Sequence, residues 1–261
     1  RPQRGEPVIA SGARVRLITG VSGAGKSSWF AAASAHFAST VVFIRAASGV
    51  ADVPSYLVGR LAATLLKNAN ETTSAVFRPG ALAEESLRLL DRLAEQVSIT
   101  VVVDNVHSLR ATDLAASIND TSHLRWILLA QPGPQVNELV ARLGIAAEEL
   151  GGWTAETVAA AVVALGVHPS PQDAVRLRDL TAGLPLFVEG AARTAKTHYG
   201  GDLPRLLDEQ SRGAHIAALP QETIIAQDVV RHLSDGARAL AAIAASVRSD
   251  IPVVLLRGIG W

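Results

Sequence analysis

Cysteine and methionine are both absent from the 261 residues. Without thiols the chain has no disulfide framework and no thiolate metal site. Net charge is absent as well, because 24 basic residues balance 24 acidic ones. No global positive field draws the chain to nucleic acid, so direct DNA or RNA binding is not expected of it. No apolar run is long enough to cross a bilayer, and no secretory signal opens the chain. The expectation is a cytoplasmic protein with no direct membrane contact. The missing methionine and the start at Arg1 read as a segment cut from a longer protein. Ile251 to Trp261 reads as the beginning of another folded unit.

What is present is apolar. A hydrophobic fraction of 49% against 18% charged supports a sizeable buried core and argues against disorder. The length allows one large domain, or a core domain with smaller ones.

The first half alternates two kinds of segment. Val15 to Thr19, Thr40 to Ile44, Ile99 to Val103 and Trp126 to Ala130 read as buried strands, and Ala146 to Leu150 as a fifth. Ser27 to Phe37, Pro54 to Lys67 and Ala81 to Gln96 read as helices, the last with Leu82, Leu89 and Leu93 on one face. Asn68 to Gly80 reads as a loop. Continuous apolar strands separated by helices predict an α/β fold whose parallel sheet of about five strands is covered on both faces. From Trp153 the pattern is helical. Thr154 caps a helix to Leu165, and Ser170-Pro171-Gln172-Asp173 carries a cap, a first-turn proline and a third-position acid. Gly183 and Pro185 break the chain before a helix from Leu186 to His198. Asp202, Ser234 and Asp250 are cap candidates for three more. The boundary is expected at Gly151-Gly152.

One motif carries the chemistry. Gly20-Val21-Ser22-Gly23-Ala24-Gly25-Lys26-Ser27 matches GxxxxGK[ST], a strand before it and a helix after it. Glycines let the backbone wrap closely and aim N–H groups at phosphate oxygens. The helix that follows turns its positive end to the same anion, with Ser28 in its first turn. Lys26 is expected to reach the β- and γ-phosphates, and the Ser27 hydroxyl to ligate Mg²⁺. Asp104 ends the apolar strand Val101-Val102-Val103, as a carboxylate that holds Mg²⁺ through water would. Asn105 stands next, where many hydrolysing proteins place an acid. An amide cannot accept a proton at neutral pH, so slow hydrolysis is expected. His107 is the nearest titratable group, read either as a base or as a packing residue. Gln131, at the end of the strand beside the loop, is read either as a γ-phosphate contact or as part of the turn Gln131-Pro132-Gly133-Pro134. Arg45 and Arg125 flank strands, with solvated or ion-paired roles favoured. The bound species expected are ATP or ADP with Mg²⁺.

The P-loop, the VVVDN segment and Gly183-Leu184-Pro185-Leu186 together resemble the STAND class of P-loop NTPases, with an AAA+-like core. That class includes NACHT and NB-ARC proteins and the large ATP-binding LuxR-type regulators. VVVDNVH resembles the DDxxH-like strand of the LuxR-type branch, with Asn105 in place of the second Asp. The resemblance implies a nucleotide-binding domain over 1–152 and a helical domain over 153–215. A truncated winged-helix beginning would fill 216–261. It implies that Pro185 packs against the base. It also implies a switch: ADP clamps the domains, and exchange to ATP opens them for assembly with other copies. Effector and sensor domains would lie outside this segment. Two other readings stay open, an AAA+-type motor ATPase and a small-molecule P-loop kinase.

Overall fold

The structure is a computed structural model that describes residues 12–214, apart from residues 38, 69, 70 and 79. The chain divides into two compact units, Arg1–Gly152 and Trp153–Trp261. The expected winged-helix segment 216–261, with caps Ser234 and Asp250, lies outside the described residues.

The first unit is built on five parallel strands: β1 (Val15–Thr19), β2 (Thr40–Arg45), β3 (Ile99–Asp104), β4 (Arg125–Ala130) and β5 (Ala147–Glu149), in the order β2-β3-β4-β1-β5. All six residues of β3 are buried. That follows from a run of β-branched residues with a paired strand on each side. Alternate side chains leave opposite faces. On one face, Leu17, Ile44, Val101, Val103, Trp126 and Leu128 meet the helices α2 (Val53–Leu65), α4 (Ala83–Gln96), α5 (Ala111–Asn119) and α6 (Pro134–Leu143). On the other, Ile18, Val102, Ile127 and Leu129 pack on Trp29 and Phe30 of α1 (Lys26–Ser34). Each fully buried aliphatic or aromatic side chain contributes roughly 1.5–3 kcal/mol.

Two expectations need correction. The stretch expected as a loop contains the short helix α3 (Glu71–Val76). Val76 is buried and Phe77 packs partly on the core, which holds a turn of helix in otherwise polar sequence. The second concerns α4. Its buried face is Leu87, Leu90 and Ala94, whereas Leu82 is 70% exposed and Leu89 and Leu93 are only partly buried. Both triplets have helical spacing, and only packing chooses between them.

The second unit packs α7 (Ala155–Ala164), α8 (Pro171–Thr181), α9 (Pro185–His198) and α10 (Leu203–Ala214) around Val158, Val162, Leu177, Val188, Ala192 and Leu206. Thr154 caps α7, and Ser170 with Asp173 forms a reciprocal capping box at α8. Asp202 accepts from Arg205 N at the start of α10. Between α8 and α9, Ala182 and Gly183 are both left-handed, and Gly183 N donates to Arg178 O at 2.8 Å. Pro185 then opens α9, where its fixed φ suits the first turn and its missing N–H costs nothing.

One polar staple fixes the start of β4. Asp91 on α4, buried among apolar neighbours, accepts from Ser122 N at 2.9 Å and from His123 N and Leu124 N at 2.8 Å. Burial alone would raise its pKa, but the three amides together with the His123 ring, whose Nδ1 lies 3.3 Å from Oδ2, more than offset it and hold the carboxyl below its usual range. A depressed carboxyl stabilises the fold above its unfolded pKa of about 3.9 and loses that contribution as pH falls toward the folded value. Asp91→Ala should therefore cost about 2 kcal/mol or more at neutral pH, because the amides lose a charged acceptor. Urea unfolding should show the gap between wild type and variant shrinking as pH is lowered through the acid range.

Candidate nucleotide site

Parallel strands end on the same side, so β1, β3 and β4 deliver Gly20, Asp104 and Gln131 to one edge of the sheet. β4 lies between β1 and β3, which separates the glycine loop from the acidic strand by one strand.

The loop leaves β1 at Gly20, whose N–H donates to Ala130 O at 3.2 Å. A side chain here has no room. A Cβ on Gly20 would meet Leu150 O at 3.0 Å and Ala24 Cβ at 3.1 Å. Ala24 N bonds back to Val21 O, closing a turn. Gly23 and Gly25 take φ of 81° and 84°, a region that favours glycine. Gly25 caps α1 through its backbone and leaves no side chain over the helix's positive end. Val21, Ser22, Ser27 and Ser28 are exposed, while Ala24 is buried.

Lys26 is the first residue of α1 and is buried. Its Nζ donates to Gly20 O at 2.7 Å and to Val21 O at 3.0 Å, so the ammonium is already held inside the loop. Burial lowers its pKa, and nearby Asp104 pulls partly the other way. Ser27 Oγ donates to Asp104 Oδ2 at 3.0 Å. The other carboxylate oxygen of Asp104 accepts from Asn105 N at 2.9 Å. A hydroxyl and a carboxylate so placed suit Mg²⁺, which takes one or two protein oxygens and keeps waters and phosphate for the rest. No group of three or more potential metal ligands occurs among the described residues.

Asn105 is left-handed, with φ 62° and ψ 36°. Asparagine tolerates this conformation, and most other side chains would be strained in it. His107 faces Gln131 across the edge: Gln131 N donates to His107 Nδ1 at 3.2 Å. That bond places the neutral ring's proton on Nε2. Burial first, and then Lys26, lower the His107 pKa, with Asp104 opposing. The ring is thus a hydrogen-bond donor at Nε2, and its acceptor nitrogen is engaged. This geometry disfavours the base role among the two readings of His107. Gln131 is held here by its backbone. Arg125 begins β4, about 16 Å along the strand from the loop edge, which excludes phosphate contact. Arg45 ends β2, where its carbonyl accepts from the Tyr56 hydroxyl. Pro185 lies half-buried in the second unit.

Sequence reading missed the support behind the loop. Arg16 on β1 forms two 2.7 Å bonds to Glu148 on β5, and its guanidinium lies over the Trp29 ring of α1. The signal was available, since a buried arginine within an apolar strand needs an acidic partner. Leu150, just past β5, donates N–H to Thr19 O at 2.7 Å and backs Gly20.

No protein-family model matches the chain, and no curated protein does. Solved structures do. A Walker-type ATPase of Pyrococcus abyssi aligns at TM-score 0.55 and 15% identity, over 78% of this chain and 69% of that one. A STAND protein with a tetratricopeptide-repeat sensor from Pyrococcus horikoshii aligns at 0.48 and 18% identity, over 67% of this chain but 27% of its own. The ORC2 protein of Aeropyrum pernix, in its ADP form, aligns at 0.44 and 14% identity, over 76% and 63%. The likeness to the Walker-type ATPase is one of fold, the α/β fold of a P-loop ATPase.

A neutral imidazole is a checkable consequence. An NMR titration should give His107 a pKa below about 6.5. His107→Phe, which leaves the Gln131 amide without its acceptor, should lower stability by about 1–2 kcal/mol.

Proposed function

We propose that this chain binds ATP and ADP with Mg²⁺ at the Gly20–Ser27 loop and works as a nucleotide-controlled switch of the STAND kind. The observation that carries the binding half is the meeting of Lys26, Ser27 and Asp104 at one edge of an ATPase-type sheet. Loop amides and the open end of α1 would take the phosphate oxygens, and Lys26 would neutralise charge at the β- and γ-phosphates. Ser27 and Asp104 would hold Mg²⁺, Asp104 through water. The ion supplies charge neutralisation on the phosphates when bound.

The switch half rests on what the site lacks and on the resemblance. Position 105 carries an amide, and the His107 acceptor nitrogen is engaged, so neither provides a base for the attacking water. Slow turnover fits a protein whose output is the bound state. Pro185 contacts the base in this reading. That assignment comes from the resemblance alone, because the α8–α9 turn already accounts for Gly183 and Pro185. Assembly with other copies also rests on the resemblance; the helical domain at 153–215 is read from its own helix signals as well, and a cytoplasmic site from the missing secretory signal and spanning run. No helix among the described residues is long and apolar enough to cross a membrane.

Three outcomes are separable. Single-nucleotide occupancy with sluggish ADP formation supports the switch. Steady multi-turnover hydrolysis supports an AAA+-type motor. ADP formation that requires an acceptor molecule supports a small-molecule kinase.

Saturating ATP and Mg²⁺ at a hundred times Kd should stabilise the wild type by about 2.7 kcal/mol, or roughly 5–10 °C in Tm. Lys26→Ala should abolish that shift and ATP binding by calorimetry. Full ATP affinity in this variant would remove the site assignment. Pro185→Ala should speed ADP release more than it slows ATP capture in stopped-flow measurements; equal effects would count against the base contact.

A further inference from the structure

One polar atom at the loop edge has no assigned task. The neutral His107 ring carries one acceptor nitrogen and one donor. Nδ1 accepts from Gln131 N at 3.2 Å, so the donor is Nε2–H. Nε2 has no partner among the described residues. Gln210 Oε1 is the one sealed side-chain oxygen or nitrogen without a partner there, so His107 Nε2 opens to solvent.

The ring is also held in place. Asn105 turns left-handed where β3 ends, and a single 3-10 turn follows over Val106–Ser108. Ser108 N donates to Asn105 O at 2.9 Å, and Leu109 N to Val106 O at 3.0 Å. Val106 and Leu109, on either side of the ring's turn, are buried in the core. The backbone is thus anchored, and Nδ1 is tied to the residue just past β4. A donor so fixed needs no rearrangement to present its hydrogen.

Its surroundings say what it presents that hydrogen to. The ring lies close enough to Lys26 and Asp104 for both charges to act on it. In a loop of this type the lysine serves the β- and γ-phosphates, and the acid serves the ion that bridges them. These two groups mark the outer end of a triphosphate. The Gln131 amide holds the tautomer that offers a hydrogen there and not a lone pair.

We propose that His107 reads the γ-phosphate: Nε2–H donates to a terminal oxygen of bound ATP, a contact that ADP lacks. The residue thereby sets the preference between the two nucleotides. The contact is made by a neutral donor, so it adds a hydrogen bond to the phosphate without burying a second cation beside Lys26. The inference rests on the nucleotide-site reading and deepens it.

Two amide side chains separate the roles of the ring nitrogens. Asparagine puts its oxygen near the place of Nδ1 and leaves the place of Nε2 empty. Glutamine reaches the place of Nε2 with an N–H. Calorimetry with Mg²⁺–ATP and with Mg²⁺–ADP on each variant tests the proposal. H107N should bind ATP about tenfold or more weaker, the loss of one hydrogen bond to a charged group. Its ADP affinity should hold, which also shows that it is folded. H107Q should recover most of the preference for ATP. Equal losses for both nucleotides in H107N overturn the proposal, as does an unchanged ratio. So does an H107Q variant no better than H107N, or a loss of ATP preference confined to Q131A. Failure of the underlying reading looks different: the wild type then binds neither nucleotide, or K26A binds both as the wild type does, and the His107 contact falls with it.

Discussion

The bond from the Ser27 hydroxyl to Asp104 joins the first helix to a strand two places away in the sheet. It forms only because several constraints agree. Gly23 and Gly25 must turn left-handed so that α1 starts against the sheet edge. β4 must lie between β1 and β3 and end level with Thr19 at Ala130, so that the glycine loop and Asp104 emerge at one edge. Asn105 must then turn left-handed to carry the chain away while its amide completes the carboxylate. A change at any of these positions acts on the same pair of oxygens.

The charged groups near that pair are arranged with little waste. Lys26 is buried without a carboxylate in contact and rests on two carbonyls of its own loop. Asp104 has both oxygens occupied. His107 is kept neutral by burial and by the ammonium nearby. A multiply charged anion would meet the main-chain donors of the loop and one cation already held beside them. Behind the loop, Arg16 lies between Trp29 and Glu148 and couples α1, β1 and β5 into one block.

Much of this was legible in the sequence, for reasons that can be named. β3 could be read because six buried residues in a row leave no ambiguity about their environment. The loop could be read because its glycines and lysine are fixed by the conformation and charge a phosphate requires. α8 could be read from its capping box, which is local chemistry. The face of α4 could not, because its leucines satisfy helical spacing on two sides and the choice is made by distant residues. α3 was hidden by polar composition, its order coming from Val76 and Phe77. The role of His107 was undecided because it depends on a backbone amide 24 residues away. The Asp91 staple is invisible for the same reason, since its three partners are main-chain groups beyond α5.

The position of Leu150 bears on how such a unit can be handled in isolation. Its carbonyl walls the Gly20 turn, and its amide continues the ladder of β1 one step beyond β5. A shortened expression product that stops at Glu149 would keep every residue of the glycine motif and still lose one side of its support. Two glycines follow at once, so the safe place to cut is after Gly152.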